Sequence, residues 1–478
     1  MKMKTSAITL AIVCSVLHTT VIFAHTRNGP AEEIEQGLTK QQRIFGLVTI
    51  YRAAKQHFAY FDQVPELDWD QTFIQYLPPV ETEQSLLEFY QTLRQFAALL
   101  QDGHTYVTLP ETLNNKMGNL PLNIDYVEDE WVIIERYPTG EIVKDDVPPG
   151  SIILAIEGIP AKKYIKEKVF PSVPGGTFQC KSFLMNKFRF FSCEVPIRLK
   201  LRYPDGSIHA RTLHAISEKN RVYWDMERFE KYLWPWHYME RWNTETLEDN
   251  ILYVRFGSCS HSIENKFAEL IDSMKPPLPK AIILDLRGNT GGSTPIKTVR
   301  HLISRPAKWF LAKTRCSISY ADARLQSASG KGSSREEIAN EIFEDFPEYS
   351  PGWYSFFNDD IEPTTIHYDG PLVLLTDRMT ASAAEDLVVI LHGKGRAKVI
   401  GEATNGSTGQ PIFFDLPGGG KVQICTCQSF YPDGRSFVGV GIQPDIPVKR
   451  TIQAIAEVRD EVLETALEYI RSNKMMAK

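Results

Sequence analysis

Apolar residues recur at the helical period in the first quarter of the chain: Ile44, Leu47, Val48 and Tyr51, then Leu86, Leu87, Tyr90, Leu93, Phe96, Leu99 and Leu100. Such spacing lines one face of successive helices and predicts a helical module over residues 33–115. Pro65, Pro78 and Pro79 are expected to break it into separate helices, because proline lacks an N–H and clashes with the preceding turn. Over residues 120–218 the pattern shifts to short β-rich runs, such as Trp131 to Ile134, Ser151 to Ile156 and Val195 to Tyr203, punctuated by Pro and Gly. A small β-rich domain is predicted there. From residue 223 to the end come unbroken apolar runs, Ile251 to Phe256, Ala281 to Leu286, Leu372 to Leu375 and Val399-Ile400, with helical patterns at Ala381 to Leu391 and Ile452 to Ile470. Buried strands alternating with helices predict a layered α/β domain over 223–478. The stretch from Ser317 to Tyr354, rich in Ser, Gly and charge, reads as an excursion or lid.

The first residues carry a different signature. Lys2 and Lys4 precede an apolar stretch from Ile8 to Val21, and Phe23-Ala24 offers a cleavage point. Residues 1–24 are therefore read as a signal peptide, with the mature chain beginning near His25 and exported to the periplasm, the cell envelope or the medium. Uncleaved, the segment would be a single membrane anchor, but Ser15, His18 and two threonines interrupt a stretch already short for a span. The net charge of the 478-residue chain is −6, with 53 Lys and Arg against 59 Asp and Glu and no long blocks of either sign. This balance argues against a nucleic-acid partner. Of the 7 cysteines, Cys14 falls in the signal. Disulfides would be permitted among the other six in an exported chain, with the pairing open. Cys425 and Cys427, two apart in a strand-like run, face one side and are poorly placed to bond each other. No Cys-x-x-Cys pair supports a zinc site.

Three segments carry candidate chemistry. In Leu375-Thr-Asp-Arg-Met-Thr-Ala-Ser-Ala-Ala-Glu385 a buried strand turns into a helix with Ser382 at its start, where free N–H groups and the positive helix end can stabilise an oxyanion. Ser382 followed three residues on by Glu385 is also the capping-box spacing, which requires no chemistry. Ala281-Ile-Ile-Leu-Asp-Leu-Arg-Gly-Asn-Thr-Gly-Gly-Ser293 runs a strand into a Gly-rich turn without the Lys-Ser/Thr ending of a nucleotide loop. Its Gly291 or Gly292 N–H, with that of Ala383, would supply two oxyanion donors. A hydroxyl nucleophile needs a base, and His104 in Leu99-Leu-Gln-Asp-Gly-His-Thr-Tyr106 is the candidate, with His237 and His392 as rivals.

Together and in this order, these segments resemble the C-terminal-processing (tail-specific) serine peptidase superfamily, in its tricorn-core and retinoid-binding-protein-like branch. Asp285 to Gly292 is similar to its strand-to-Gly-Gly turn, Thr380 to Glu385 to its nucleophile motif, and Gly434 to Ile446 to its closing motif. The phrase Pro149-Gly-Ser-Ile-Ile-Leu-Ala-Ile-Glu-Gly-Ile-Pro160 resembles an element of PDZ domains. The resemblance implies a crotonase- and Clp-protease-like β-α superhelical catalytic domain and a PDZ-like domain that gates or positions substrate. It also implies peptide cleavage near a free C-terminus, with Ser382 as nucleophile and Gly291 and Ala383 as oxyanion donors. Where the better-known branch has a lysine base, this chain has Ser407, so the resemblance points instead to His104, as in the tricorn-like branch. Val438 stands at the position of that branch's orienting glutamate, leaving Asp102, Asp433 and Glu402 as substitutes, and Gly103 replaces the serine that precedes the tricorn histidine. The expected reaction is acyl-enzyme hydrolysis of a peptide or protein substrate without metal or organic cofactor. The alternative is a noncatalytic ligand- or peptide-binding protein on the same fold. The aromatic run Trp234-Pro-Trp-His-Tyr238 is read as core or interface filling, and the C-terminal amphipathic helix as packing on its own domain.

Overall fold

The computed structural model describes residues 37–136, 147–217, 241–315, 348–350, 353–356 and 360–472, together with 323, 326, 334 and 337. The signal segment, His237 and its aromatic neighbours, and most of the 317–354 excursion lie outside the described residues. The helices and strands all belong to one unit, Leu38–Lys478.

Three main helices open it. Lys40–His57 and Leu86–Ala98 both begin with capping boxes, Thr39 with Gln42 and Ser85 with Glu88, which satisfy N–H groups that a helix start leaves open. The expected break at Pro78 and Pro79 is corrected: helix Trp69–Glu81 runs through both. Both prolines fall in its final turn, and the chain leaves the helix at Thr82. The buried face, with Ile50, Phe89, Leu93 and Phe96, joins the same apolar cluster as Leu284, Leu374 and Val388 of the α/β region.

The β-rich segment is an antiparallel sheet in the order Leu122–Val127, Glu130–Arg136, Ile152–Ile156, Ile197–Arg202, Ile208–Leu213, with Ile159–Pro160 hairpinned onto Ile152–Ile156. Glu157 and Gly158, both at positive φ, form that two-residue turn. Alternation decides its faces: Ile197, Leu199 and Leu201 are buried, and the basic residues between them are exposed. This sheet has its own core with Trp131, Phe183 and Leu213.

The α/β region is built on a six-stranded sheet ordered Trp242–Leu247, Ile251–Phe256, Ala281–Asp285, Leu372–Thr376, Lys398–Gly401, Ile446–Pro447. The first pair is antiparallel and the rest are parallel. Every residue of Ile251–Phe256, Ala281–Asp285 and Leu372–Thr376 is buried, because apolar clusters cover both faces, as a parallel sheet demands. The single C-terminal helix expected from the sequence is two helices, Ile452–Glu457 and Glu461–Arg471. Val458 adopts a left-handed conformation at the break, and Asp460 then caps the second helix through the Leu463 N–H. The same carboxylate binds the buried guanidinium of Arg287 at 2.7 and 2.9 Å. Asp285 grips Arg287 from the other side, which locks this segment after the third strand in place.

Among the described residues no helix is long and apolar enough to cross a membrane. Cys180, Cys193, Cys259, Cys425 and Cys427 are free thiols.

Candidate active site

In a parallel sheet, neighbouring strands present their C-terminal loops side by side, and ligands gather at that edge. Here Asp285 aligns with Leu375 and Leu375 with Ile400, so the loops after three adjacent strands converge. They carry Gly291, Ser382 and Ser407. The approach is close: a Cβ on Gly291 would lie 2.6 Å from the Ser382 Cβ and 3.0 Å from the Ala383 nitrogen, and Gly291 has φ +98°. Only glycine fits there.

Ser382 is the N-cap residue of helix Ala383–Gly393 and has φ 57°, ψ −131°, a conformation costly to a side chain by roughly 1–3 kcal/mol. Backbone bonds hold it: Ser382 N–H to Ser407 O at 2.9 Å, Ala381 N–H to Asn289 O at 3.0 Å, and Glu385 N–H to Ser382 O at 2.7 Å. The cap and the candidate nucleophile coincide in one residue. Glu385 Oε2 accepts from the Ser382 N–H at 3.3 Å, as capping spacing allows, while the Ser382 hydroxyl lies 3.3 Å from His104 Nε2.

His104 comes from far away in sequence and is positioned by its backbone. Strand Tyr106–Thr108 pairs antiparallel with Lys421–Cys425, Gln423 Nε2 donates to His104 O at 2.8 Å, and the Thr105 hydroxyl accepts the Cys425 N–H. The imidazole Nδ1 lies 2.7 Å from Ser407 Oγ. With the Nδ1 proton donated to that hydroxyl, Nε2 is left as the acceptor facing Ser382. Burial, with the positive charge of Lys187 added, pushes the imidazole down to about 4, so it is neutral at ordinary pH.

None of the three acids named as substitutes for the orienting glutamate reaches the imidazole among the described contacts. Asp433 is an exposed partner of Arg435, and Glu402 pairs with Arg450. Asp102 is buried, accepts from the Thr105 hydroxyl at 2.6 Å and from the His104 N–H, and is pushed by burial up to about 6. It steadies the His104 turn rather than the ring. Val438 is core, its carbonyl receiving Gln63 Nε2 at 3.1 Å. From the sequence, Ser407 stands out as the residue in the lysine position, within Gly406-Ser-Thr-Gly-Gln410, which is similar to the tricorn-like branch. Its location in Gly406-Ser-Thr-Gly409, after the strand adjoining the nucleophile's own, was the available signal. A Cβ at Gly103 would come within 2.6 Å of Ser407 Oγ, so Ser407 fills the space that a serine before the histidine would use.

Beneath the Ser407 loop lies Glu385, fully buried. Its carboxylate accepts from the Thr404 hydroxyl at 2.5 Å and from the N–H groups of Gly406 and Ser407 at 2.8 and 2.9 Å. Burial pushes it up to about 7. One carboxylate thus ties the nucleophile turn to the Ser407 loop. Among the expected oxyanion donors, Ala383 supplies the first N–H of its helix, which has no acceptor within the helix itself. The Gly291 N–H donates to Asn289 Oδ1 at 2.9 Å. His392, ten residues along the helix from Ser382 and so about 15 Å away, faces Tyr431 and Asp445 instead.

Residues 250–448 match the model of Peptidase family S41. The carboxyl-terminal-processing protease of Picosynechococcus sp. is 30% identical over 113 residues, 23% of this chain and 27% of that protein. Its namesake from Synechocystis sp. is 32% identical over 112 residues, 23% and 26% of the two. The matches thus span about a quarter of these relatives. The crystal structure of mature CPAF superposes with a TM-score of 0.69 at 15% identity, covering 91% of this chain and 98% of that one, a likeness of fold. Residues 250–448 are thus similar to Peptidase family S41, and the mixed α/β fold is that of the CPAF structure.

Proposed function

We propose that this protein is an exported serine peptidase. His104 takes the proton from Ser382, whose oxygen attacks a peptide carbonyl, and water then hydrolyses the acyl-enzyme. Ser407 orients the imidazole and accepts its Nδ1–H, in place of the missing acid. The observation that carries the reading is the continuous chain Ser382 Oγ, His104 Nε2, His104 Nδ1, Ser407 Oγ, with contacts of 3.3 and 2.7 Å. The backbone strain at Ser382 supports it, since such strain gathers at functional sites and a mere helix cap does not require it. The oxyanion donors are the N–H groups of Ala383 and Gly291, the latter released from Asn289 when substrate enters. Export rests on the basic and apolar start of the sequence.

A second reading, a noncatalytic binding protein on the same fold, draws on the Gly291 N–H being held by Asn289. Labelling separates the two. A fluorophosphonate should add one mass increment to the intact protein, located on Ser382 by peptide mapping and lost in His104→Ala. An unlabelled Ser382 at every pH tried would favour the binding protein.

A further inference from the structure

A cavity of about 360 Å³ opens beside His104 and Ser407 and is bordered by Arg94, Lys187 and Arg189. Among the described residues no acidic side chain lines it. Arg94, on helix Leu86–Ala98, is only 7% exposed, yet it has no ion pair with a carboxylate among the described residues. Its Nε and Nη1 donate to the carbonyls of Val107 and Arg189 at 3.3 and 3.0 Å, and its head lies 5.2 Å from the Phe188 ring centre. Lys187 stands at the rim, its ammonium 4.5 Å from the Phe183 ring centre, likewise without a carboxylate partner among the described residues. Buried charges are ordinarily paired, because an uncompensated ion loses its hydration for nothing in return. Burial together with the Arg189 charge pushes Arg94 down to about 9. These are the marks of a buried cation, Arg94, that no anion among the described residues offsets, with a second, exposed cation, Lys187, at the rim.

We propose that Arg94 and Lys187 form a carboxylate-binding subsite next to the scissile bond, so that the substrate brings the missing counter-charge. The inference rests on the peptidase reading for its position relative to the bond. The carboxylate is an Asp or Glu side chain flanking the bond, as distinct from the free C-terminus that the family resemblance already implies. A bound anion would also offset the Lys187 charge that opposes protonation of His104, favouring the step in which the imidazole accepts the serine proton. The preference is therefore expected in kcat as well as KM.

The test uses the full mature chain and peptides cut at a bond located by mass spectrometry. Each flanking position is offered as Glu or Gln, and each peptide with a free or amidated C-terminus. The same peptides are titrated calorimetrically into Ser382→Ala. The proposal predicts kcat/KM about tenfold or more higher for the carboxylate member at one position, and tighter binding of that member to Ser382→Ala. A response at a flanking position identifies the side chain, and a response to the free terminus alone would overturn the proposal. Lys187→Gln, at an exposed site, should bring the ratio toward one, and Lys187→Glu should invert it in favour of a lysine peptide. Equal rates and affinities across all members would overturn the subsite and leave the peptidase standing. Tighter binding of the carboxylate peptide without turnover by the parent would uphold the subsite and overturn the peptidase.

Discussion

Ser407 Oγ stands 2.7 Å from His104 Nδ1, on the loop following the strand adjacent to the one that ends at the nucleophile turn. In the proposed mechanism a neutral hydroxyl does the orienting work that a carboxylate does in other hydrolases. It fixes the tautomer but offers no charge to the imidazolium. Ser407→Ala is therefore expected to lower kcat by roughly 10- to 100-fold, less than the ~10⁴-fold that follows loss of an orienting acid. KM should change little. Steady-state kinetics on a cleaved peptide measure this, and a loss in KM alone would deny Ser407 its role.

Gly103→Ala provides a steric version of the same test. The added Cβ would fall 2.6 Å from Ser407 Oγ and 2.9 Å from Cys180 Sγ, so the hydroxyl must swing away from the imidazole. Activity should drop about as far as in Ser407→Ala, with stability falling by ~1–3 kcal/mol from overpacking. Combined with Ser407→Ala, the glycine substitution should cost little further activity, since both act on one contact.

The acid limb of the rate profile follows from the environment of His104. In the proposed mechanism only the neutral imidazole can take the Ser382 proton, and burial and Lys187 push its titration down to about 4. The free-enzyme profile of kcat/KM should therefore lose activity only as pH falls toward about 4, rather than near the ordinary 6.5. In Lys187→Gln that limb should move upward.

Much of the fold was legible in the sequence because fully buried strands are continuous apolar runs. Ile251–Phe256, Ala281–Asp285 and Leu372–Thr376 stand where those runs predicted them. The split of the C-terminal helix was not, because Val458 is neither the Gly nor the Asn that usually marks a left-handed cap. A distant partner, Arg287, captures Asp460 and so places the break. Likewise, the local pattern around Ser382 served a cap as well as a nucleophile. The Ser407 contact was not legible, because a hydroxyl carries no charge signature of an orienting group and the contact joins residues about three hundred positions apart.

Asp460→Ala checks that long-range lock. It leaves the buried Arg287 guanidinium with Asp285 as its carboxylate partner and removes the cap on Leu463. Unfolding in urea should show a loss of about 3 kcal/mol or more. A loss below ~1 kcal/mol would mean that the helix break has another cause.

Glu385 gives a stability signature. Its folded-state value of about 7 exceeds the ordinary 4.5, so the folded chain binds this proton more readily than the unfolded one. The contribution is complete below about pH 4.5 and is lost as pH rises through about 7. Glu385→Gln should flatten this part of the decline in melting temperature. It should also lower activity, because the amide nitrogen turns a donor toward N–H groups that need an acceptor.

The most direct measurement is hydrolysis of a mixed library of unstructured peptides by the mature chain, read by mass spectrometry, with Ser382→Ala and His104→Ala run beside it. Cleavage by the parent that falls by at least ~10³-fold in each variant is the predicted result. Cleavage that persists in Ser382→Ala, or a parent that cleaves nothing between about pH 5 and 9 while Ser382 stays unlabelled, would contradict it.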